Sequence, residues 1–355
     1  MRQRRIKVWG EAAVYHCISR VVAGERLLDD AAKEQFRKML WKTAAFCGVE
    51  VLTYCVLSNH VHLLIRVRSA EVSEVNQVEL LRRYRAFYGE VPGTPEFPSA
   101  NVLAAKFAEG GEEAVRWESR LRSRMGDVSE FMKTLKQRFT VWYNRTYRRF
   151  GTLWSERFKS VLVEDSAFAL KTVAAYIDLN PVRAGLVTDP GTYRWCGYAE
   201  ALAGKKAARK GLCRVVGVDS EEWRGGLESY RAVLFGKGAM AREIGQATVD
   251  LDHADAVLRS GGRLDREELL RARVRYFTDG VVLGSKEFVR QVGVSIRRPG
   301  QTVEAVLDGN ADGLEYRKDL RRRAGAVEIP MKSEEAGASL TVWRKPRMRP
   351  GAEVK

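Results

Sequence analysis

Apolar positions in the first two hundred residues switch between the period of a strand and that of a helix. Val14-Tyr15-His16-Cys17-Ile18-Ser19 reads as a strand, and Asp30 to Phe46 as a helix with an apolar face at Phe36, Met39, Leu40 and Ala44, ended by Gly48. Val49 to Leu57 and His60 to Val67 read as two strands joined by a tight Ser58-Asn59 turn, a β-hairpin. From about Ser69 to Asp127 the chain is polar, with Pro92-Gly93-Thr94-Pro95 and Gly110-Gly111, and reads as an insertion. A helix over Ser129 to Tyr147 follows, then a loop at Gly151, a strand around Phe158 to Glu164, and a helix capped by Asp165-Ser166 that runs to Leu179. The order β-α-β-β-α-β-α predicts an antiparallel sheet with helices on one face, an α+β fold of ferredoxin-like type.

The pattern changes near residue 204. Lys205-Lys206-Ala207-Ala208-Arg209-Lys210 is basic and small and reads as a linker over 204–217. A mainly helical domain is expected over 218–330, with helical periodicity at Ser220 to Leu234, Ala239 to Gln246, His253 to Arg259 and Arg266 to Arg273. His253 reads as a surface residue. Residues 331–355, rich in Lys, Arg, Gly and Pro, have the composition of a poorly ordered tail.

Candidate chemistry is concentrated in the hairpin. His60 and His62, two of only four histidines, are two residues apart in a strand, so they share one face at about 6.5 to 7 Å. Two neutral imidazoles so placed could ligate one divalent ion, the alternative being two satisfied polar residues at a sheet surface. A third ligand must come from elsewhere. On the helix ending at Leu179, Tyr176 and Asn180 are one turn apart on one face, beside an apolar stripe of Ala169, Val173 and Ile177. That places Tyr176 at a helix margin. A packing aromatic and a helix-terminating Asn-Pro are the alternatives for these two.

Charge narrows the partners. With 61 Lys+Arg against 45 Asp+Glu the formal charge is +16 and the pI about 9.7, which favours a polyanion such as nucleic acid. An anionic membrane is the competitor, but no apolar run approaches the ~18 residues that span a bilayer and no lipidation motif is present. The basic start leads to no signal-peptide core, so a cytoplasmic, bacterial-type location is expected. Five scattered cysteines without a C-x-x-C pair indicate neither a disulfide framework nor a zinc site. The segment Phe131 to Arg149 interleaves cations with aromatics; Phe131, Leu135, Phe139 and Trp142 are expected to face the core, leaving Lys133, Lys136, Arg145, Arg148 and Arg149 to meet a polyanion such as nucleic acid.

Taken together, Asn59-His60-Val61-His62-Leu63-Leu64, the segment Gly151-Thr152-Leu153-Trp154-Ser155-Glu156-Arg157-Phe158, and Tyr176-Ile177-Asp178-Leu179-Asn180-Pro181-Val182-Arg183-Ala184-Gly185 resemble the single-tyrosine HUH transposases. The trailing Tyr193-Arg194-Trp195-Cys196-Gly197-Tyr198 is similar to the REP-associated branch. The resemblance spans residues 1 to 203 and implies the HUH endonuclease fold. It further implies that His60 and His62 hold a divalent metal, Mg²⁺ or Mn²⁺, with Asn180 as the third, amide ligand, and that Tyr176 is the nucleophile. The substrate implied is single-stranded or hairpin DNA, cut and rejoined through a 5′-phosphotyrosine, with the basic N-terminal residues Arg2, Arg4 and Arg5 helping to read it and Arg183 adding positive potential. Relatives act as monomers or homodimers; the segment Arg275 to Val289 resembles one that follows the catalytic domain in longer relatives, which leaves the helical domain either a nucleic-acid-binding module or an accessory packing domain, and a nucleoid-associated location would follow from DNA binding. A non-catalytic DNA-binding regulator of the same fold and a metal nuclease that uses water are the alternatives. Tyr143 and Tyr147 are rival nucleophiles, but no amide lies at the matching spacing from them.

Overall fold

The computed structural model describes residues 5–8, 11–89, 97–238, 281–295, 315–317 and 326–327. A central strand, β2 (Ala12–Arg20), follows the short β1 (Lys7–Val8), and the hairpin is β3 (Val49–Val56) with β4 (His60–Arg68). β2 pairs antiparallel with β4, from Ala12 opposite Arg68 to Arg20 opposite His60, and on its other side with β5 (Lys159–Val163). The sheet order is β3-β4-β2-β5, extended at the β5 edge by β6 (Val282–Gly284) and β7 (Glu315–Arg317). β6 runs parallel to β5, so the sheet is not purely antiparallel.

Helices cover both faces, where the sequence predicted one. The cause is visible in the strands, whose alternate residues are apolar in both phases, the mark of a sheet buried on two sides. Tyr15, Cys17, Leu63 and Ile65 face α1 (Asp30–Cys47) and α5 (Val128–Thr146), packing with Phe36, Leu40, Phe131, Leu135 and Phe139. Val14, Leu64, Val161 and Val163 face the other way, into a second core with Val173 and Ile177 of α6 (Ala167–Asp178), Leu212 of α9 (Lys206–Val216) and Leu234 of α10 (Trp223–Gly238). α1 begins on an Asp29 cap that accepts from Ala32 N and ends on Gly48 at φ 64°, a left-handed stop that glycine adopts without penalty.

The stretch expected as a linker is α9. Its basic residues alternate with Ala208, Leu212, Val215 and Val216, which are buried, so the small residues serve close packing rather than flexibility. Gly211 shows this most sharply: a Cβ there would stand 2.4 Å from the Val51 carbonyl oxygen and 2.6 Å from that of Leu52. The polar insertion folds as α2 (Gln77–Tyr88), α3 (Ala100–Glu109) and α4 (Gly111–Arg122), whose Leu80, Tyr84, Phe87, Leu103, Phe107 and Leu121 extend the α1/α5 core. After β5 and α6 come α7 (Asn180–Arg183) and α8 (Gly197–Leu202), and α11 (Lys286–Ser295) follows β6. Part of the region assigned to a separate helical domain therefore adds strands to the sheet. Helices expected at 239–246, 253–259 and 266–273, with His253 and the tail 331–355, lie outside the described residues. Among the described residues, no helix is long and apolar enough to cross a membrane.

Candidate active site

The helix bearing Tyr176 lies across the sheet face that carries the histidines. α6 starts on Ser166, whose hydroxyl accepts from Ala169 N, and from Ala169 to Asp178 every residue but Lys171 is buried. A helix apolar on nearly all sides must be enclosed, and α6 is wedged between the sheet and α9 and α10. Tyr176 is accordingly only 3% exposed, not marginal as its place in the sequence suggested. Its ring meets His62 edge-on at 5.7 Å between centroids, and His60 is 5.0 Å from His62. Those three predicted residues come together within one chain.

A fourth residue joins them unannounced. His16, on β2 and 1% exposed, lies 6.0 Å from the Tyr176 ring and 5.1 Å from that of His62, with its Nε2 2.8 Å from His62 Nδ1. Nothing in the local pattern around His16 marked it, because a lone histidine in an apolar strand is an ordinary core residue. The signal lay in pairing: His62 is opposite Ile18, so His16 is its diagonal neighbour on the same face.

Hydrogen bonds determine which ring nitrogens are available. Asn59 Nδ2 donates to Gly24 O at 3.3 Å, which turns its Oδ1 toward His60 Nδ1, 2.7 Å away. An amide oxygen can only accept, so His60 carries its proton on Nδ1 and its Nε2 keeps a lone pair. Burial first, then Arg20, pushes the His60 pKa down to about 4, and burial with the neighbouring His60 and His16 pushes His62 well below the usual histidine value. Both rings are neutral at pH 7, the form that ligates metals.

Asn180 sits one turn past Tyr176 and folds back on the helix end, donating from Nδ2 to Tyr176 O at 2.9 Å and Ile177 O at 3.1 Å. Its amide oxygen is the atom left with ligand character. Two imidazole nitrogens and an amide oxygen are a donor set suited to a divalent ion that keeps positions for water or phosphate oxygen. Among the described residues, no group of three or more His, Cys, Asp or Glu side chains is arranged to hold a metal. Arg183 donates to the Tyr176 carbonyl, and its guanidinium lies 4.5 Å from the centre of the Tyr176 ring.

Asp178 projects away from this cluster. Thr53 Oγ1 donates to one carboxyl oxygen at 2.7 Å and Tyr230 Oη to the other at 2.5 Å, and complete burial raises its pKa to about 7. It ties α6 to β3 and α10.

Of the predicted DNA contacts, Arg2 and Arg4 lie outside the described residues. Arg5 donates to Phe158 O at 2.8 Å and lies 3.7 Å over the Phe158 ring, and Lys136 donates to Glu156 O at 3.0 Å, with burial lowering its pKa to about 8. Lys133 pairs with Glu130 at 3.3 Å, while Arg145 and Arg148 are exposed and Arg149 is half-buried. The rival tyrosines are stacked at 4.3 Å, with Tyr143 donating to Leu27 O and Tyr147 to Asp29.

A family model described as "Transposase IS200 like" matches residues 11–84, which contain His16, His60 and His62. The N-terminal region thus matches the IS200-like Y1 tyrosine-transposase family, and this family link supports a DNA-cleaving, nuclease-type activity. Among solved structures, a REP-associated tyrosine transposase bound to a REP hairpin matches at 14% identity and a TM-score of 0.35, over 57% of this chain and 86% of that one. No curated protein matches the chain.

Proposed function

We propose that the protein cleaves and rejoins single-stranded DNA near hairpins, with Tyr176 as the nucleophile. The observation that carries this reading is the meeting of Tyr176 with His60 and His62 on one sheet face, beside rings that are neutral and, at His60, tautomerically fixed. His60, His62 and Asn180 would hold Mg²⁺ or Mn²⁺, which when bound supplies charge against a non-bridging phosphate oxygen. The Tyr176 phenolate oxygen attacks phosphorus, an O–P bond to the 5′ phosphate forms, and the bond to the 3′ oxygen breaks, that oxygen taking up a proton to leave a 3′ hydroxyl and so balancing the proton lost from the phenol. Arg183 puts positive charge against a ring whose reactive form is an anion. The phosphotyrosine retains the energy of the broken diester, so attack by a 3′ hydroxyl reverses the step and joins strands.

One observation favours a second reading. Tyr176 is nearly enclosed, so a nuclease that uses water beside the same histidines would not need its hydroxyl to reach DNA. Incubation with single-stranded hairpin DNA and Mg²⁺ or Mn²⁺ separates the two: the first gives a denaturant-resistant 5′-linked adduct that Tyr176→Phe abolishes, the second gives cleavage without adduct.

A further inference from the structure

The turn that carries His60 has a neighbour with an unusual aromatic. Phe150 is 94% exposed, the highest value among the large exposed hydrophobic side chains of the described residues. An isolated exposed apolar residue is ordinary on a flexible loop, but this loop is built. Arg149 N donates to Asn144 O at 2.9 Å, Asn144 Nδ2 donates to Gly151 O at 3.0 Å, Thr152 Oγ1 donates to Trp154 O at 2.9 Å, and Val22 N donates to Leu153 O at 2.9 Å. Arg148, two residues before Phe150, is held at φ 50°, a left-handed conformation that costs a non-glycine residue on the order of 1 kcal/mol and persists only where its surroundings impose it. The backbone on either side of the exposed ring is fixed by these bonds.

Further bonds fix where the loop stands. Val21, just past the end of β2, donates to Asn59 O at 2.8 Å on one side and forms a bridge with Trp154 on the other. The loop and the Asn59-His60 turn therefore flank the same residue at the same end of the sheet. Phe150 is four residues before Trp154, within about 14 Å of chain. Exposed cations occur on the same segments: Arg145 at the end of α5, Arg148 on the loop, Arg157 after it, and Arg20, which is opposite His60 in the sheet and whose carbonyl accepts from Ser155 N. The acids of this region are fewer, and one of them, Asp29, caps α1 and accepts from Tyr147.

We propose that Phe150 is a stacking platform for an unpaired base of single-stranded DNA, with Arg145, Arg148 and Arg20 taking the flanking phosphates. An outward aromatic among arginines is what a sequence-tolerant single-strand site requires, since every base has a face to stack and every linkage a charge. This inference rests on the reading that the histidine cluster acts on DNA, and it names the surface by which the strand is held next to that cluster.

The test uses the full chain carrying Tyr176→Phe, so that binding is read without covalent capture, and a single-stranded oligonucleotide containing 2-aminopurine. Phe150→Ala should weaken binding at least fivefold, because stacking is worth about 1–3 kcal/mol per base. Phe150→Trp should bind like the parent and quench the 2-aminopurine, whereas Phe150→Leu, apolar but not aromatic, should stay weak. Binding to a blunt duplex should be unchanged in all three. Affinity of Phe150→Ala for the single strand within twofold of the parent overturns the inference, as does a loss that Phe150→Leu restores. A change in sedimentation of Phe150→Ala in place of a change in DNA affinity would instead make the ring a contact between two copies, and overturns it too. Adduct formation by the chain with Tyr176 intact is scored separately: its failure refutes the tyrosine mechanism and leaves the stacking result standing.

Discussion

Nε2 of His16 lies 2.8 Å from Nδ1 of His62, so a residue on β2 is hydrogen-bonded to a candidate metal ligand on β4. One of the two nitrogens must donate. For His62 Nε2 to keep a lone pair, His62 Nδ1 must be the donor and His16 the acceptor, an arrangement in which His16 orients the ligand without itself touching the ion. His16→Ala should weaken Mn²⁺ binding 10- to 100-fold, read by electron paramagnetic resonance or calorimetry. His16→Gln, whose amide oxygen can still accept, should recover part of that loss. Equal Mn²⁺ affinity in wild type and His16→Ala would remove His16 from this role.

The histidines also tie stability to pH. His60 is depressed to about 4 when folded, against an ordinary value near 6.5 in an unfolded chain. Between those values the unfolded state binds more protons, so this contribution is fully present above about 6.5 and is lost as pH falls through about 4. His62, depressed in the same direction, adds to the slope. Thermal unfolding of His60→Asn should show a shallower loss of stability from pH 6.5 down to 4 than wild type. Parallel curves would contradict the burial-driven shift.

Asp178 has the opposite sign. Its pKa is raised to about 7 when folded, so between about 4 and 7 the native state holds the extra proton, and stability falls as pH rises across that window. Asp178→Asn keeps a group able to meet both Thr53 Oγ1 and Tyr230 Oη while removing the ionisation. Its stability between pH 5 and 8 should be flatter than that of wild type, measured by denaturant midpoint.

Gly211 tests the packing of α9 on β3. A Cβ would meet two backbone carbonyl oxygens at 2.4 and 2.6 Å, so Gly211→Ala should destabilise by about 1–3 kcal/mol despite its better helix propensity. A melting temperature at or above wild type would show that the helix can stand off the sheet.

Much of this was legible in the chain. The strand ending at Ser19, the hairpin, and the helices after Asp29 and Ser166 follow from period, caps and turn residues, which act over a few positions. What those signals miss is set by tertiary partners. The second helical layer was hidden because a strand apolar in both phases resembles a half-buried one with scattered exceptions. α9 reads as a linker in the sequence because Ala and Gly beside Lys and Arg suit both a flexible tether and a helix pressed on a sheet. At the site, the H-x-H pair and the Tyr-x-x-x-Asn spacing point to His60, His62 and Tyr176, which meet in space, whereas His16 emerges only from the β2–β4 register and the burial of Tyr176 only once α9 and α10 are in place.

The central claim is that Tyr176 becomes covalently joined to DNA. Wild-type protein should be mixed with a labelled single-stranded hairpin and Mn²⁺, denatured, and digested for peptide mass spectrometry. The account predicts a nucleotide 5′ phosphate on the peptide containing Tyr176, absent in Tyr176→Phe and strongly reduced in His60→Ala with His62→Ala. Cleavage of the hairpin with no adduct, or an adduct on Tyr143 or Tyr147, would contradict it.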